Sequence, residues 1–212
     1  MDYTSWNEGK MKVNGLGIVR VQPDVAIVNL GVVTENKDLE TAQRENAIKS
    51  NSVINALRQM GIDEKDISTA SYTIEPQYDY VEGRQIFRGY RVSNILNVKV
   101  RNINKVGEVV DNAVKNGANT VNNIKFTVDN MEIYYNKALK LALKDAAIKA
   151  REMANSLRVN LNGTPVRIIE ESVREIGESP VPYKALAEAT PILPGQINVT
   201  AKIVALFSYL VS

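Results

Sequence analysis

The chain has 212 residues, 44% of them apolar, and its 26 Lys and Arg against 24 Asp and Glu give a formal net charge of +2. That length and composition predict a globular protein with a sizeable core, and the near-neutral charge favours neither nucleic acid nor an anionic membrane as a partner. Neither Cys nor His occurs in the sequence, which excludes disulfides, thiolate or imidazole metal sites, and mechanisms that need a thiol or an imidazole base.

The first eleven residues are polar and predict a tail that precedes a domain over residues 12–212. This tail lacks the apolar stretch of a secretory signal, so the sequence by itself favours the cytoplasm. The longest apolar stretch, residues 203–211, is too short to span a bilayer, and we expect no membrane insertion.

Two strands are predicted next, Val13–Val21 and Val25–Thr34, because apolar residues alternate on either side of a Pro-Asp pair. Gly15 and Gly17 have the spacing that begins a dinucleotide-binding turn. That motif needs a third glycine where Arg20 stands, and a helix where this sequence continues as strand. We therefore predict a β-hairpin, in which the two glycines permit a bulge or close strand packing.

A helix is predicted from Lys37 to Met60, with Asp38 as its N-cap and Gly61 as its C-terminal stop. Its apolar residues form only a thin stripe at helical spacing. The helix is therefore expected to bury a narrow face.

A long Tyr-rich hairpin is predicted over residues 70–100, where two alternating segments flank the turn "EGRQ". We expect this hairpin to project beyond the core. Tyr is amphipathic and loses little entropy when immobilised, so the aromatic side chains are candidates for a self-association surface. The alternative is that the rings pack across the hairpin onto their own core. The interface candidates are Tyr72, Tyr78, Tyr80, Phe87 and Tyr90.

Two further helices are predicted, the first over residues 104–117 and followed by a strand over 120–128. The second opens at Asp129, which has capping-box spacing to Glu132, and runs to about Leu157. One face of it carries Ala138, Ala142, Ala146, Ala150, Met153 and Leu157. A basic stripe lies roughly opposite, and we expect it to be solvated because aromatic residues that would stack on nucleic-acid bases are missing there. The stripe consists of Lys137, Lys140, Lys144 and Arg151.

The C-terminal part begins with a predicted strand over residues 165–172 and ends with a strand from Ile197 to Val211. Between them, residues 174–196 contain four of the seven prolines and show no periodicity, which predicts a loop with a functional or mobile character. The final strand is too long and too apolar to be an uncovered edge.

Three pairs of carboxylates are candidates for acid/base groups or calcium ligands. None has the D-x-D-x-D-G ligand spacing, so surface charge is the favoured interpretation. The pairs are Asp63 with Asp66, Glu170 with Glu171, and Glu175 with Glu178. We therefore predict no catalytic, cofactor-binding or metal-binding residues.

The predicted element order is β-β-α-β-β-α-β-α-β-β, with separate hairpins in place of a regular β-α alternation. This order predicts an α+β fold in which about three helices cover one face of a mostly antiparallel sheet. Residues 12–212 form one domain in this interpretation, or two intimately joined α/β subdomains with a break near residues 101–104.

Several stretches together resemble the SIMPL-domain family, bacterial proteins of unknown function that include periplasmic immunogenic proteins. The most specific set is "GYRVSN", followed by "NGAN" and then "PILPG". The stretches run in family order and extend from about residue 12 to the end of the chain. The resemblance implies an α+β fold and, as in periplasmic members, a large ring-like or channel-like homo-oligomer.

The resemblance implies no accepted enzymatic activity, no cofactor and no catalytic residues. Roles suggested for relatives include protection against oxidative or envelope stress, so the resemblance favours the cell envelope or periplasm. The leading hypothesis is a non-enzymatic protein that self-associates through its hairpin and terminal strand, with a stress-protective or scaffold role. An alternative is a module whose 174–196 loop closes over a small ligand or peptide, and the last is a hydrolase that uses carboxylates or lysine.

Overall fold

The computed structural model describes residues 8–179, 192 and 194–211, without the side chains of residues 172–179. These residues divide into two compact units. Unit 1 comprises residues 8–22, 130–179 and 195–211, whereas unit 2 is formed mainly by Pro23–Asp129. Residues 101–104, where the sequence suggested a break, lie inside unit 2.

The fold is α+β, as the sequence predicted, and the predicted elements occur in the predicted order with one short strand added. The elements are β1 (Glu8–Val21), β2 (Val25–Asn36), α1 (Leu39–Gln59), β3 (Ile67–Val81), β4 (Arg84–Val100), α2 (Val106–Lys115), β5 (Thr120–Thr127), α3 (Met131–Leu157), β6 (Asn160–Leu161), β7 (Arg167–Ser179) and β8 (Gln196–Leu210). The strands form two antiparallel four-stranded sheets, one in each unit.

In the sheet of unit 1, β8 lies between β1 on one side and β6 and β7 on the other. The expectation that the final strand would be covered at its edges is confirmed. Alternate residues of β8, including Ile203 and Phe207, are buried in the core under α3. A strand paired on both sides and buried on one face accounts for its long apolar pattern.

The helix α3 buries a stripe of small residues against this sheet. The buried members are Tyr135, Ala138, Ala142, Ala146, Ala150 and Ala154. The prediction that Met153 and Leu157 continue this face is wrong, since they are 42% and 60% exposed. The four-residue spacing of the alanines leads from Ala150 to Ala154, and Met153 and Leu157 both lie to one side of this line, about a quarter turn from it.

The glycines of β1 allow α3 to approach the strand backbone closely. A Cβ atom at Gly15 would overlap the carbonyl oxygen of Ala142, and one at Gly17 would overlap the carbonyl oxygen of Ala138. Close packing, one of the two roles predicted for these glycines, is therefore confirmed.

The predicted hairpin of β1 and β2 is wrong. β1 pairs with β8 in unit 1, whereas β2 pairs with β4 and β5 in unit 2. After Pro23, the N–H of Asp24 donates to the carbonyl of Thr127 (3.1 Å), and its Oδ1 accepts the N–H of Asp129 (2.7 Å). Alternation identified both strands correctly, but it carries no information about which strand pairs with which.

In unit 2 the strand order is β3-β4-β2-β5, and α1 and α2 contribute to a core with β2 and β4. The thin stripe of α1 contains a polar member at its centre. Asn46 is 1% exposed, and its Nδ2 donates to the carbonyls of Val32 (2.9 Å) and Val92 (3.1 Å). Asn46 therefore links α1 to two neighbouring strands.

The three helices begin and end close to the predicted positions. Asp38 caps α1 by accepting the N–H of Thr41 (2.8 Å), and Gly61 follows the helix with φ +84°. The cap predicted for α3 is wrong, because Asn130 and not Asp129 accepts the first-turn N–H, that of Ile133. In the part of the chain that the structure describes, no helix has both the length and the apolar character needed to cross a bilayer.

The predicted loop 174–196 begins later than expected, because β7 extends to Ser179. Residues 180–191 and 193, which make up most of the predicted loop, lie outside the described residues. The ligand-binding alternative based on this loop therefore falls largely outside them as well.

Candidate functional site

The long hairpin of β3 and β4 is formed as predicted, and a two-residue turn joins its strands. Glu82 and Gly83 form this turn with φ values of +48° and +77°. Positive φ at both central positions is the type I′ conformation, whose twist matches that of paired strands. Val81 and Arg84, which directly flank the turn, form the last residue pair of the hairpin.

In the described part of the chain, the two strands of the outer hairpin pair only with each other. β2 ends at Asn36, which lies opposite Tyr90, and only the strands of the hairpin pair with each other beyond that point. Arg88 of β4 forms ion pairs with both neighbouring strands at the base of the hairpin. Its Nη2 is 2.7 Å from Glu35 Oε2 of β2, and its Nη1 is 3.6 Å from Asp79 Oδ1 of β3. The hairpin therefore projects from the sheet, as the sequence predicted.

Three of the five interface candidates contact one another. A β-bulge shifts the register after Gln77, so that Tyr78 lies opposite Phe87. The two rings meet edge to face with centroids 5.7 Å apart, and the rings of Phe87 and Tyr90 do so at 5.2 Å. This geometry is the favoured one for aromatic pairs. Packing across the hairpin, the alternative interpretation, therefore occurs between Tyr78 and Phe87, whereas Phe87 and Tyr90 are neighbours on β4.

The same side chains nevertheless keep a large apolar surface in solvent. Tyr78 and Phe87 are each 43% exposed, and Tyr80 is 75% exposed. Tyr72 and Tyr80 stand apart from the ring cluster, because they lie opposite Asn94 and Gln85. Exposed large hydrophobic residues on both faces of the outer hairpin and its base are Tyr72, Ile74, Tyr78, Tyr80, Val81, Ile86 and Phe87. These exposed apolar side chains are the candidates for an interaction surface.

A second cluster of polar side chains lies at the ends of α1 and β4. Arg101 forms a bidentate pair with Asp66 (2.7 and 3.0 Å) and contacts Asp129 (2.7 Å), which Lys99 also contacts. The cluster borders a cavity of about 230 Å³. Two cations and two carboxylates neutralise each other here, so the arrangement is that of a structural ion-pair network.

The interpretation of the carboxylate pairs as surface charge is wrong for Asp66, which is only 8% exposed and pairs with Arg101. Asp63 is exposed and contacts Lys65 (3.0 Å). Glu170 accepts the hydroxyl of Tyr135 (2.6 Å). Glu175 and Glu178 belong to β7, and their side chains lie outside the description.

The basic stripe of α3 is exposed over the whole helix. Lys137 lies over the ring of Tyr134, 5.4 Å from its centroid. Lys140, Lys144 and Arg151 face solvent. Among the described residues, no three Asp or Glu side chains stand close enough to hold a metal ion together.

The Asp129 network predicts an acid-sensitive contribution to stability. Lys99 and Arg101 hold the pKa of the Asp129 carboxyl below its usual value. Such a group stabilises the fold above its unfolded pKa, about 3.9 for Asp, and this stabilisation is lost as the pH falls through the lower folded value. We expect the urea midpoint of the wild type to fall more between about pH 5 and about pH 2.5 than that of Asp129→Asn.

Lysine variants provide the control for this pH dependence. Lys99→Met removes one of the two cations that contact Asp129. The urea midpoint of this variant should therefore fall less on acidification than that of the wild type, as expected for Asp129→Asn. Lys49→Met removes an exposed lysine of α1 and should keep the wild-type curve. Equal curves for the wild type and Asp129→Asn would contradict the assignment.

The ion-pair network around Arg101 could not be predicted from the sequence. Arg101 and Asp66 are separated by 35 residues, and Arg101 and Asp129 by 28. Charged residues so far apart carry no periodic or spacing signal. Asp129 does have a local sequence signal, the spacing of a helix cap, but this signal predicts the wrong role.

Comparison with known proteins gives matches over nearly the whole chain. The profile of SIMPL, described as a protein of unknown function (DUF541), matches residues 11–207. Uncharacterized protein YggE from Escherichia coli (strain K12) is 31% identical over 179 residues, which cover 84% of this chain and 72% of that protein. The 26 kDa periplasmic immunogenic protein from Brucella melitensis is 30% identical over 194 residues, covering 89% and 72% of the two chains. YggE from Edwardsiella ictaluri is 27% identical over 179 residues, with 84% and 73% covered.

Proposed function

This chain belongs to the SIMPL family, and from that membership we propose that it is a non-enzymatic protein that self-associates through its projecting hairpin. The observation that supports self-association is the exposed apolar surface of the outer hairpin, where Tyr80 is 75% exposed. Large apolar side chains in contact with water on a projecting element are stabilised when a second surface covers them. Tyr and Phe are also the residue types enriched in such interfaces.

In this proposal the polar cluster of unit 2 has a structural role, because its charged side chains are held in mutual ion pairs, as Arg101 is by Asp66 and Asp129. We propose a scaffold or stress-protective role, in which the assembled form is the working state. The relative from Brucella melitensis is described as periplasmic, and we propose the same compartment for this chain.

The test is the solution mass of the wild type and of two charge variants. At micromolar concentration, light scattering should give a mass above the 23.5 kDa of one chain. Tyr80→Asp should raise the concentration needed for assembly about tenfold or more, because it places a carboxylate in an apolar contact.

The matched control is Ile48→Asp on α1, where the replaced side chain is 64% exposed. This variant adds the same charge at similar exposure and should leave the assembly unchanged. A wild-type mass of one chain would refute self-association. Equal assembly of all three proteins would refute the role of the hairpin.

A further inference from the structure

The two edge strands β1 and β3 differ in how their outer edges are covered. At β1, the helix α3 supplies hydrogen-bond partners: Asp145 Oδ2 accepts the N–H of Leu16 (2.9 Å), and Lys149 Nζ donates to the carbonyl of Asn14 (3.2 Å). At β3, only β4 contributes backbone hydrogen bonds among the residues that the structure describes. Among the described residues, the outer edge of β3, a strand of 15 residues, therefore has no backbone partner.

The edge of β3 is only partly protected against pairing. Thirteen of its 15 residues are exposed, and Lys and Arg, which commonly protect edges, are absent. Pro76 and the bulges at Thr69/Ser71 and Gln77/Tyr78 interrupt the edge, which leaves residues 71–75 as its regular stretch. The only charges of β3 are those of Glu75 and Asp79. Tyr72 and Ile74 project from one face, where Ile74 lies opposite the buried Val92 of β4.

We propose that the open edge of β3 pairs in an antiparallel manner with β3 of a second copy, joining two unit 2 sheets into one continuous sheet. This inference rests on the proposed self-association and names its contact. Strand addition at a sheet edge supplies main-chain hydrogen bonds along the strand. A second copy is the occupant because an identical strand brings an identical apolar row, so Tyr72 and Ile74 of each copy gain apolar neighbours on the same face.

The two acidic residues restrict the register of this pairing. Like charges directly opposite each other are destabilising. A two-fold axis at Glu75 would oppose its two copies, and an axis at Gln77 would oppose Glu75 and Asp79. An axis at Thr73 or Ile74 separates all four carboxylates, since Glu75 then faces Ser71 or Thr73 of the second copy. An axis at Tyr72 or Pro76 would also separate the carboxylates, but the first lies next to the bulge at Thr69/Ser71, and the second falls on Pro76 itself, which has no N–H to donate. Thr73 and Ile74 are therefore the preferred axes.

Single-cysteine variants test this pairing, because the chain contains no cysteine of its own. Only the residue at the two-fold axis lies directly opposite its own copy, with Cα atoms about 4.5–5.5 Å apart, inside the range of about 4.4–6.8 Å that a disulfide spans. Thr73→Cys or Ile74→Cys should therefore form a disulfide-linked dimer under mild oxidation at micromolar concentration. Non-reducing electrophoresis gives the dimer fraction, and the melting curve of each reduced variant checks that it is folded.

The matched control is Val121→Cys on β5, the other edge of the same sheet. Val121 is 39% exposed and Ile74 is 37% exposed, so chance collisions should oxidise both variants equally. No more dimer from Thr73→Cys and Ile74→Cys than from Val121→Cys would overturn the edge pairing. If the wild-type mass still exceeds one chain in that case, self-association stands and only this contact fails. A wild-type mass of one chain would overturn both.

Discussion

Gly17→Ala is expected to lower the free energy of unfolding by about 3 kcal/mol, because a methyl group has no room there. Its Cβ would overlap the carbonyl oxygen of Ala138 and approach the backbone nitrogen of Ala142. These atoms belong to the helix backbone, so no side chain can rotate away to accommodate the methyl group. The substitution must instead move α3 off β1. Urea unfolding followed by circular dichroism measures the change.

Gly163→Ala is the control for this substitution. A Cβ at Gly163 meets no atom within 4 Å, and we expect its free energy of unfolding to stay within about 0.5 kcal/mol of the wild type. If Gly17→Ala were as stable as Gly163→Ala, the close approach of α3 to β1 would be refuted.

Phe207→Ala is expected to cost about 4 kcal/mol, within the range for removing a buried aromatic side chain. Phe207 is 2% exposed in the central strand β8, and it packs in the cluster with the alanines of α3. Alanines cannot extend into the space that the ring leaves, so a cavity should persist. The measurement is again the urea midpoint, with the slope of the transition checked for constancy.

Leu210→Ala provides the comparison on the same strand. Leu210 is 56% exposed, and its truncation should cost less than about 1 kcal/mol. Similar losses for the two variants would show that the core of unit 1 is not centred on Phe207.

The secondary structure of this chain could be predicted because its signals are local. Alternation identified β3 and β4, and Asp38 with Gly61 marked the ends of α1. Strand pairing could not be predicted, since β1 and β2 are adjacent in sequence yet pair with strands far along the chain. Pairing depends on which faces are buried together, and a single strand pattern does not record that.

The candidate site shows the same division between local and distant signals. The aromatic residues of the hairpin were found from sequence, but the bulge that sets Tyr78 against Phe87 was not. The role of Asn46 could not be predicted, because a polar residue normally indicates a break in the apolar stripe of a helix. In the structure its Nδ2 donates to carbonyls of two strands. Such residues become recognisable only once the carbonyls that need them are placed.

The contact between β1 and α3 limits how this sequence can diverge. Where two backbones touch, a larger residue on one element cannot be offset by a smaller one on the other. A Cβ at Gly17 would meet main-chain atoms, and one at Gly15 would meet the carbonyl of Ala142 as well as the side chain of Ile203. Gly15 and Gly17 should therefore remain glycine in any descendant of this chain that keeps the unit. Leu16, which lies between them on the exposed face of β1, can be replaced by other residue types. Along β1, alternate positions would thus evolve at very different rates.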